Sequence, residues 1–454
     1  MTPNPGFHDP YAKSKSLAAS WSEDMISRRQ FLTHTSAAGA LVATCSPPEL
    51  LADTADDSLA YLRKRSKLLE KDTKIFLGYP GNKNLPPEGY FKWRDELFKT
   101  EIGMRSGYNN VGDPYYDHSV ENAHYLEAET IHAFGERFGF DRKDTWGFMS
   151  NSGTDSNMHG AYIGRTLLKQ KTGLVPKIYY TKEAHYSIQI IRDLLVMEEI
   201  LVETLPDGAM DPADLKVKLQ ENNDAPALVL ATIGTTFKGA IDDIDAIQVA
   251  LQGVESYVHL DAALFGGYMQ ASKYAKDLHA TGKSGKRYDS ISVSCHKFFG
   301  FPMVAGIFVT KQSTFEEYRN YFSQVHDPAY ISHVPGTITC SRSSLNPALF
   351  HYFSTDESLK VQRKDAKQIL VDAEYLLKEM NNHFPELDAK RASDKSNTVY
   401  FKKVSDKVKK KWILATIGGE GKVEPQAHVV VMPHATKHYL DMFLTDLEKY
   451  RHKA

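Results

Sequence analysis

Asp289-Ser290-Ile291-Ser292-Val293-Ser294-Cys295-His296-Lys297 is a strand-like run that delivers a lysine at its end, and a largely apolar tract, Phe298 to Val309, follows at once. A solvated ammonium is out of place in such surroundings, whereas a lysine shielded from water loses its charge readily and becomes a nucleophilic amine. Upstream, His259-Leu260-Asp261-Ala262-Ala263 sets an aspartate at the end of another strand-like stretch. An amine that condenses with an aldehyde, and a carboxylate that keeps a pyridine nitrogen protonated, are what a protein needs to use pyridoxal phosphate. Lys297 and Asp261 are the candidates. Taken singly, one would be a surface lysine and the other a helix cap; their contexts reverse that reading. His296 adds a hydrogen-bond donor for a phosphate or a substrate.

Strand-like and helical segments alternate ahead of that lysine. Trp146 to Met149, Lys177 to Tyr180, Ala227 to Ala231, Tyr257 to Leu260 and Ile291 to Val293 are the strand candidates. Helical periodicity runs from Glu121 to Phe140, with Gly139 near its end. The pattern predicts an α/β fold with a mostly parallel sheet, whose ligands sit beyond the carboxyl ends of the strands. One loop at such an end, Asn151-Ser152-Gly153-Thr154-Asp155-Ser156-Asn157, leads into a helix-like segment. Its N–H groups and hydroxyls suit a phosphate, although the same residues also serve an ordinary N-cap. His185, after a strand, is a candidate to lie on a cofactor ring, with the small methyl of Ala263 on the opposite face; a capping or core histidine is the plainer alternative. Thr235, beside Thr236, either reaches a ligand or caps a turn.

The chain has 454 residues, 42% hydrophobic and 25% charged, which is ordinary globular usage and room for about two to three domains. A formal charge of −2 and the lack of a basic stripe argue against nucleic acid. Cys45, Cys295 and Cys340 are the only cysteines, without paired Cys/His spacing, so neither a disulfide framework nor a metal site is expected. No run of about twenty apolar residues predicts a membrane span.

The N-terminal stretch Ser27-Arg28-Arg29-Gln30-Phe31-Leu32 precedes small apolar residues from Ser36 to Ala43. This is the form of a twin-arginine export signal and predicts a periplasmic protein, with cytoplasmic residence the alternative. Cys45 after Val42-Ala43-Thr44 is a poor lipidation box. Past the signal, a charged helix is expected over Ser58 to Lys71 and a turn over Gly78 to Asn82. In the last part, a helix over Asp365 to Met380, strands at Thr398 to Phe401 and Ala427 to Met432, and a final helix over Lys437 to His452 predict a small α+β domain. The lysine-rich stretch Lys402 to Lys411 reads as a solvated face.

In these motifs the chain resembles the group II pyridoxal-phosphate amino-acid decarboxylases, most closely the histidine decarboxylase and plant-type serine decarboxylase branch. The resemblance runs from Tyr108-Asn109-Asn110-Val111-Gly112-Asp113-Pro114 through Trp146-Gly147, Asn151 to Asn157, His185-Tyr186-Ser187, Ile233 to Asp243, Asp261 to Gly266 and Ser292 to Lys297, and on to Ala427 to Pro433. It implies an aspartate-aminotransferase-type (fold type I) large domain with a mostly parallel seven-stranded sheet, a small α+β C-terminal domain, and a homodimer. It implies Lys297 as the amine that takes the cofactor's aldehyde, Asp261 at the pyridine nitrogen, His185 and Ala263 on the two ring faces, and Ser152, Gly153, Thr154, Ser294 and His296 around the phosphate. The corresponding divisions are an export signal and linker over 1–57, an N-terminal arm over 58–110, a cofactor-binding domain over 111–345 and a small domain over 346–454. The implied reaction removes CO2 from an L-amino acid, histidine first and serine second, with Tyr330 or another residue of the Tyr321 to Val334 loop returning a proton to Cα. A transaminase or carbon–carbon lyase on the same cofactor is the competing reading, and a non-catalytic binding relative the third. The chain departs from the family where Cys295 replaces a usual glycine, where Val304-Ala305 replace a Pro-Cys pair, and where Cys340-Ser341-Arg342-Ser343-Ser344-Leu345 replaces Gly-Ser-Arg-Asn-Gly-His.

Overall fold

The structure is a computed structural model that describes residues 55–73, 75–105, 109–115, 122–326, 336–418 and 424–451. The export signal, Cys45 and Tyr330 lie outside the described residues. The charged N-terminal helix, α1 (Ala55–Thr73), opens with Asp56 and Asp57 in its first turn, where acidic side chains favour the positive end of the helix dipole. Leu59, Leu62, Leu68 and Leu69 along it are all about half-exposed.

A seven-stranded sheet carries the fold. Its strands are β2 (Thr145–Ser150), β3 (Lys177–Thr181), β4 (Glu199–Val202), β5 (Ala227–Thr232), β6 (Ser256–Asp261), β7 (Ser290–Ser294) and β8 (Gly306–Lys311); β1 (Asn109–Val111) lies apart and pairs with β9 (Ser341–Ser343). The order across the sheet is β2-β8-β7-β6-β5-β3-β4. From β7 to β4 neighbours run parallel, and only β8 is antiparallel to its two partners. This is the expected α/β fold with a mostly parallel seven-stranded sheet. Buried on both faces, β5 reads Ala-Leu-Val-Leu-Ala-Thr without alternation, as a strand between two helical layers must.

Two strands go beyond the alternation visible in the sequence. The short edge strand β4 has only Val202 buried, and β8 lies inside the apolar tract after Lys297, where a buried strand and a buried helix share one pattern. Because β8 runs backwards, its first residue Gly306 sits opposite both Ser150 and Ser294. A Cβ on Gly306 would lie 2.6 Å from the Ser150 hydroxyl and from the Ser152 carbonyl, so the close approach of these strand ends requires glycine.

Helix α2 (His124–Arg137) packs on β2, and helix α3 (Gly153–Thr172) lies over β6, β7 and β8. In the C-terminal part, α4 (Asp356–His383) and α5 (Lys437–Lys449) accompany an antiparallel sheet ordered β10 (Thr398–Lys402), β12 (Gln426–Val430), β11 (Ala415–Ile417). Helix α4 starts nine residues before the periodicity predicts because Thr355 Oγ1 accepts from Ser358 N–H, a cap preceding two polar turns. Within Lys402 to Lys411, Asp406–Lys411 forms a short helix whose Val408 is buried.

Behind β2, Trp146 stacks on Phe315 at 3.6 Å between ring centroids, and His159 of α3 packs on Phe148 at 4.7 Å. His159 is fully buried, and loss of solvation, aided by Arg342, pushes its pKa down to about 3. An unfolded chain takes up that proton near 6.5 while the folded chain refuses it, so stability is present in full above 6.5 and is lost as pH falls towards 3. Each such histidine contributes about 1.4 kcal/mol per pH unit in that window. Thermal unfolding followed between pH 6.5 and 4.5 should therefore be less steeply pH-dependent in His159→Phe than in the parent, by about one proton.

Candidate active site

The strand ends bring the site together at one edge of the sheet. Asp261 is the last residue of β6, in register with Thr232 of β5 and Ser292 of β7. It is 5% exposed, and its Oδ1 accepts from the Ala263 N–H at 3.1 Å, which fixes the carboxylate at the strand tip. Three residues past β7, Lys297 stands in a turn held on both sides. Cys295 N–H donates to Ala305 O at 2.9 Å, while the Asn82 N–H donates to Lys297 O at 3.1 Å and Asn82 Nδ2 to Phe298 O at 3.0 Å. Asn82 was legible in the sequence only as part of a turn; it clamps the backbone of the lysine.

Lys297 Nζ makes no hydrogen bond and no ion pair among the described residues, although the residue is only partly exposed. Burial lowers its pKa from the ordinary lysine value, and the Asp261 carboxylate opposes that shift from nearby. His185, four residues after β3, senses the same two charges: burial lowers its pKa first, Asp261 raises it and Lys297 lowers it. His185 Nδ1 lies 2.8 Å from Ser187 Oγ and accepts from the Ser187 N–H at 3.3 Å, which sets the ring's orientation. Lys297, Asp261 and His185 thus share one electrostatic neighbourhood.

Of the proposed phosphate residues, Ser152, Gly153, Thr154 and Ser294 meet at the start of α3. Ser152 is the N-cap, its Oγ accepting from Asp155 N–H at 3.2 Å, and Thr154 is exposed in the first turn. A Cβ on Gly153 would lie 2.5 Å from Ser294 Oγ and 3.3 Å from Ala263 Cβ, so Gly153, Ser294 and Ala263 converge with no room for a methyl group between them. The buried Asp155 accepts from the Asn151 N–H at 2.9 Å and shapes the loop before the helix. His296 Nδ1 lies 3.4 Å from Ala305 O, and burial followed by Lys297 lowers its pKa. Thr235 is fully buried and its Oγ1 accepts from Ala240 N–H at 2.9 Å, so this hydroxyl oxygen caps its own turn. Cys295 is fully buried, and burial pushes its thiol pKa up, so it packs as a small apolar group.

These groups fit pyridoxal phosphate. A shielded lysine amine, a strand-tip carboxylate and a glycine-lined helix N-terminus are the three attachments that it needs. Residues 164–343 match the pyridoxal-dependent decarboxylase conserved domain. The chain is 32% identical over 353 residues to a histidine decarboxylase of Solanum lycopersicum, covering 76% of this chain and 79% of the relative. It is 31% identical over 396 residues to serine decarboxylase 1 of Oryza sativa subsp. japonica, covering 85% and 74%. Among solved structures, the L-methionine decarboxylase of Streptomyces sp. 590 superposes with a TM-score of 0.73 at 21% identity, over 87% of this chain and 95% of that one.

Replacing Lys297 by alanine should abolish the cofactor absorbance near the edge of the visible range and reduce turnover by about 10³-fold or more. Asp261→Asn should still take up the cofactor and show that absorbance, yet lose about 10²–10⁴-fold in turnover. Full activity in either variant would remove that residue from the site.

Proposed function

We propose L-histidine as the substrate of this chain, which belongs to the group II pyridoxal-dependent amino-acid decarboxylases of the histidine and serine decarboxylase branch. The chain is a carboxy-lyase that releases CO2 from an amino acid. The observation that carries the chemistry is the Lys297 amine, unpartnered among the described residues and in electrostatic reach of the Asp261 carboxylate. The choice of histidine is supported by the identity to the tomato histidine decarboxylase, and serine is the second choice on the identity to the rice serine decarboxylase.

Pyridoxal phosphate, when bound, supplies an aldehyde for amines and a ring that accepts the electron pair left by departing CO2. Lys297 presents a nitrogen whose pKa desolvation lowers from the ordinary lysine value, which favours the nucleophilic free amine. Asp261, with one oxygen tied to the Ala263 N–H, would hold a proton at the ring nitrogen of the bound group. His185, kept neutral by burial, offers an imidazole face without adding charge. Ser152, Gly153, Thr154, Ser294 and His296 are assigned to the phosphate, and Tyr330 to proton return at Cα. A transaminase or carbon–carbon lyase is the less favoured reading, since the relatives are decarboxylases.

Two further proposals accompany the activity. The Ser27 to Leu32 motif and the small apolar run behind it support folded export by the twin-arginine route to the periplasm. Two copies of the chain are proposed to assemble as a homodimer, on the resemblance to the decarboxylase branch. The division into signal, arm, cofactor domain and small domain at 57/58, 110/111 and 345/346 belongs to the same reading.

Incubation with a panel of L-amino acids should yield CO2 and histamine from histidine; ethanolamine from serine instead would move the substrate to the second choice, and a keto acid would overturn the reaction. In that assay Tyr330→Phe should turn over about 10²-fold more slowly, and an unchanged rate with clean product would free Tyr330 of its role. Substituting both Arg28 and Arg29 by lysine should leave the protein in the cytoplasmic fraction. The parent protein should weigh two chains by light scattering, and a periplasmic fraction indifferent to the double substitution, or a one-chain mass, would discard the corresponding proposal.

A further inference from the structure

Helix α3 meets the sheet along a stripe of four residues, Gly153, Asn157, Gly160 and Gly164, spaced by four, three and four. A Cβ on Gly164 would lie 2.6 Å from the Tyr257 ring, a Cβ on Gly160 would collide with the His259 ring, and Gly153 abuts Ser294. The one side chain in this stripe that reaches for a polar partner is Asn157, which is 2% exposed. Its Oδ1 lies 3.0 Å from His259 Nε2 and also accepts from the Ser292 hydroxyl. His259 Nδ1 lies 2.7 Å from Ser290 Oγ, which itself accepts from the Tyr257 hydroxyl at 2.9 Å.

One assignment of protons satisfies the whole chain. Tyr257 donates to Ser290, Ser290 donates to His259 Nδ1, and His259 Nε2–H and Ser292 both donate to Asn157. His259 is fully buried and neutral, and that single tautomer uses both of its nitrogens. None of these residues acts in the chemistry assigned above, yet three of them stand one structural period from a residue that does. His259 is two positions before Asp261 on β6, Ser292 two before Ser294 on β7, and Asn157 one helical turn after Gly153.

We propose that Asn157 and His259 are positioning residues that fix the height and register of the α3 N-terminus over β6 and β7, and thereby the spacing between the Ser152–Thr154 cradle and the Asp261 carboxylate. This rests on the cofactor reading of the site. A ligand held at both ends responds to that spacing, whereas one held at the ring end alone does not.

The test uses the full-length protein freed of cofactor and two probes, pyridoxal phosphate and pyridoxal, which differ only in the phosphate. In Asn157→Ala the dissociation constant for pyridoxal phosphate should rise about 10-fold while that for pyridoxal stays within about twofold of the parent. His259→Leu should behave in the same way, and His259→Gln, which can still offer an N–H towards Asn157, should recover most of the phosphate-dependent affinity. Equal weakening for both probes, or unchanged binding of both, in Asn157→Ala would overturn the proposal, even if His259→Leu fails to fold. Failure of the parent itself to bind pyridoxal phosphate would instead refute the cofactor reading.

Discussion

An amine without a hydrogen-bonding partner among the described residues, kept close to a carboxylate it does not touch, is the constraint around which this site is arranged. Desolvation disfavours the ammonium, and Asp261 limits how far that goes. A direct ion pair would tie up the lysine and neutralise the aspartate. Asp261 is held at the tip of β6 by the Ala263 N–H, and the Lys297 turn is held by Asn82 and by the pairing of Cys295 with Ala305. Both groups remain in electrostatic reach while each keeps a face for a ligand.

Holding strand tips that firmly needs support from below, and a buried ion pair supplies it. Glu127 and Arg342 are 0% and 3% exposed, and burying two charges costs several kcal/mol each unless their remaining hydrogen-bonding positions are filled. They are largely filled. Glu127 accepts from Arg342, from Met149 N–H at 2.7 Å and from Asn110 Nδ2 at 2.5 Å, while Arg342 donates to Gly112 O at 2.7 Å and Met149 O at 3.1 Å. The pair therefore fastens the β1–β9 ribbon to Met149 of β2, two residues before the loop that opens α3. Removing either partner would strand the other charge, at a cost of about 3–5 kcal/mol. Within the segment that departs from the family pattern, Arg342 is the inward residue, and its neighbours Ser341 and Ser343 face out. The one departure in that strand, Ser343, falls on the exposed side.

How much of this was legible depends on whether a residue's role is local. Lys297 and Asp261 announce themselves because a strand must end where they stand, and strand ends can be read from the sequence. The helix start at Ser152-Gly153 is equally local. Glu127 and Arg342 are 215 positions apart, and nothing in either neighbourhood distinguishes a buried ion pair from two surface charges. Asn82 and His259 were hidden for the same reason: a turn asparagine and a strand histidine acquire their tasks from partners on distant segments. Strand β8 escaped because full burial erases the alternation that marks a half-buried strand. Thr235, a turn hydroxyl in the sequence, accepts from the Ala240 N–H within its own turn and keeps its proton to donate.

The polar ladder beneath α3 also explains why glycine recurs there. A helix lying on methyl groups can slide by fractions of an ångström at little cost, because dispersion contacts are individually weak and tolerant of small shifts. Gly160 and Gly164 let α3 settle onto the rings of His259 and Tyr257, close enough for Asn157 to reach His259 and Ser292. Hydrogen bonds are directional, so once formed they oppose such sliding. The neutral state of His259 is part of the device: with its pKa pushed down to about 3 by burial, the ring keeps one donor and one acceptor under ordinary conditions. A doubly protonated ring would point a second N–H at Ser290, whose hydroxyl would have to turn around, and the run of donors from Tyr257 to Asn157 would break at its centre. Burial thus does for the helix what it does for Lys297, by fixing which atom carries the proton.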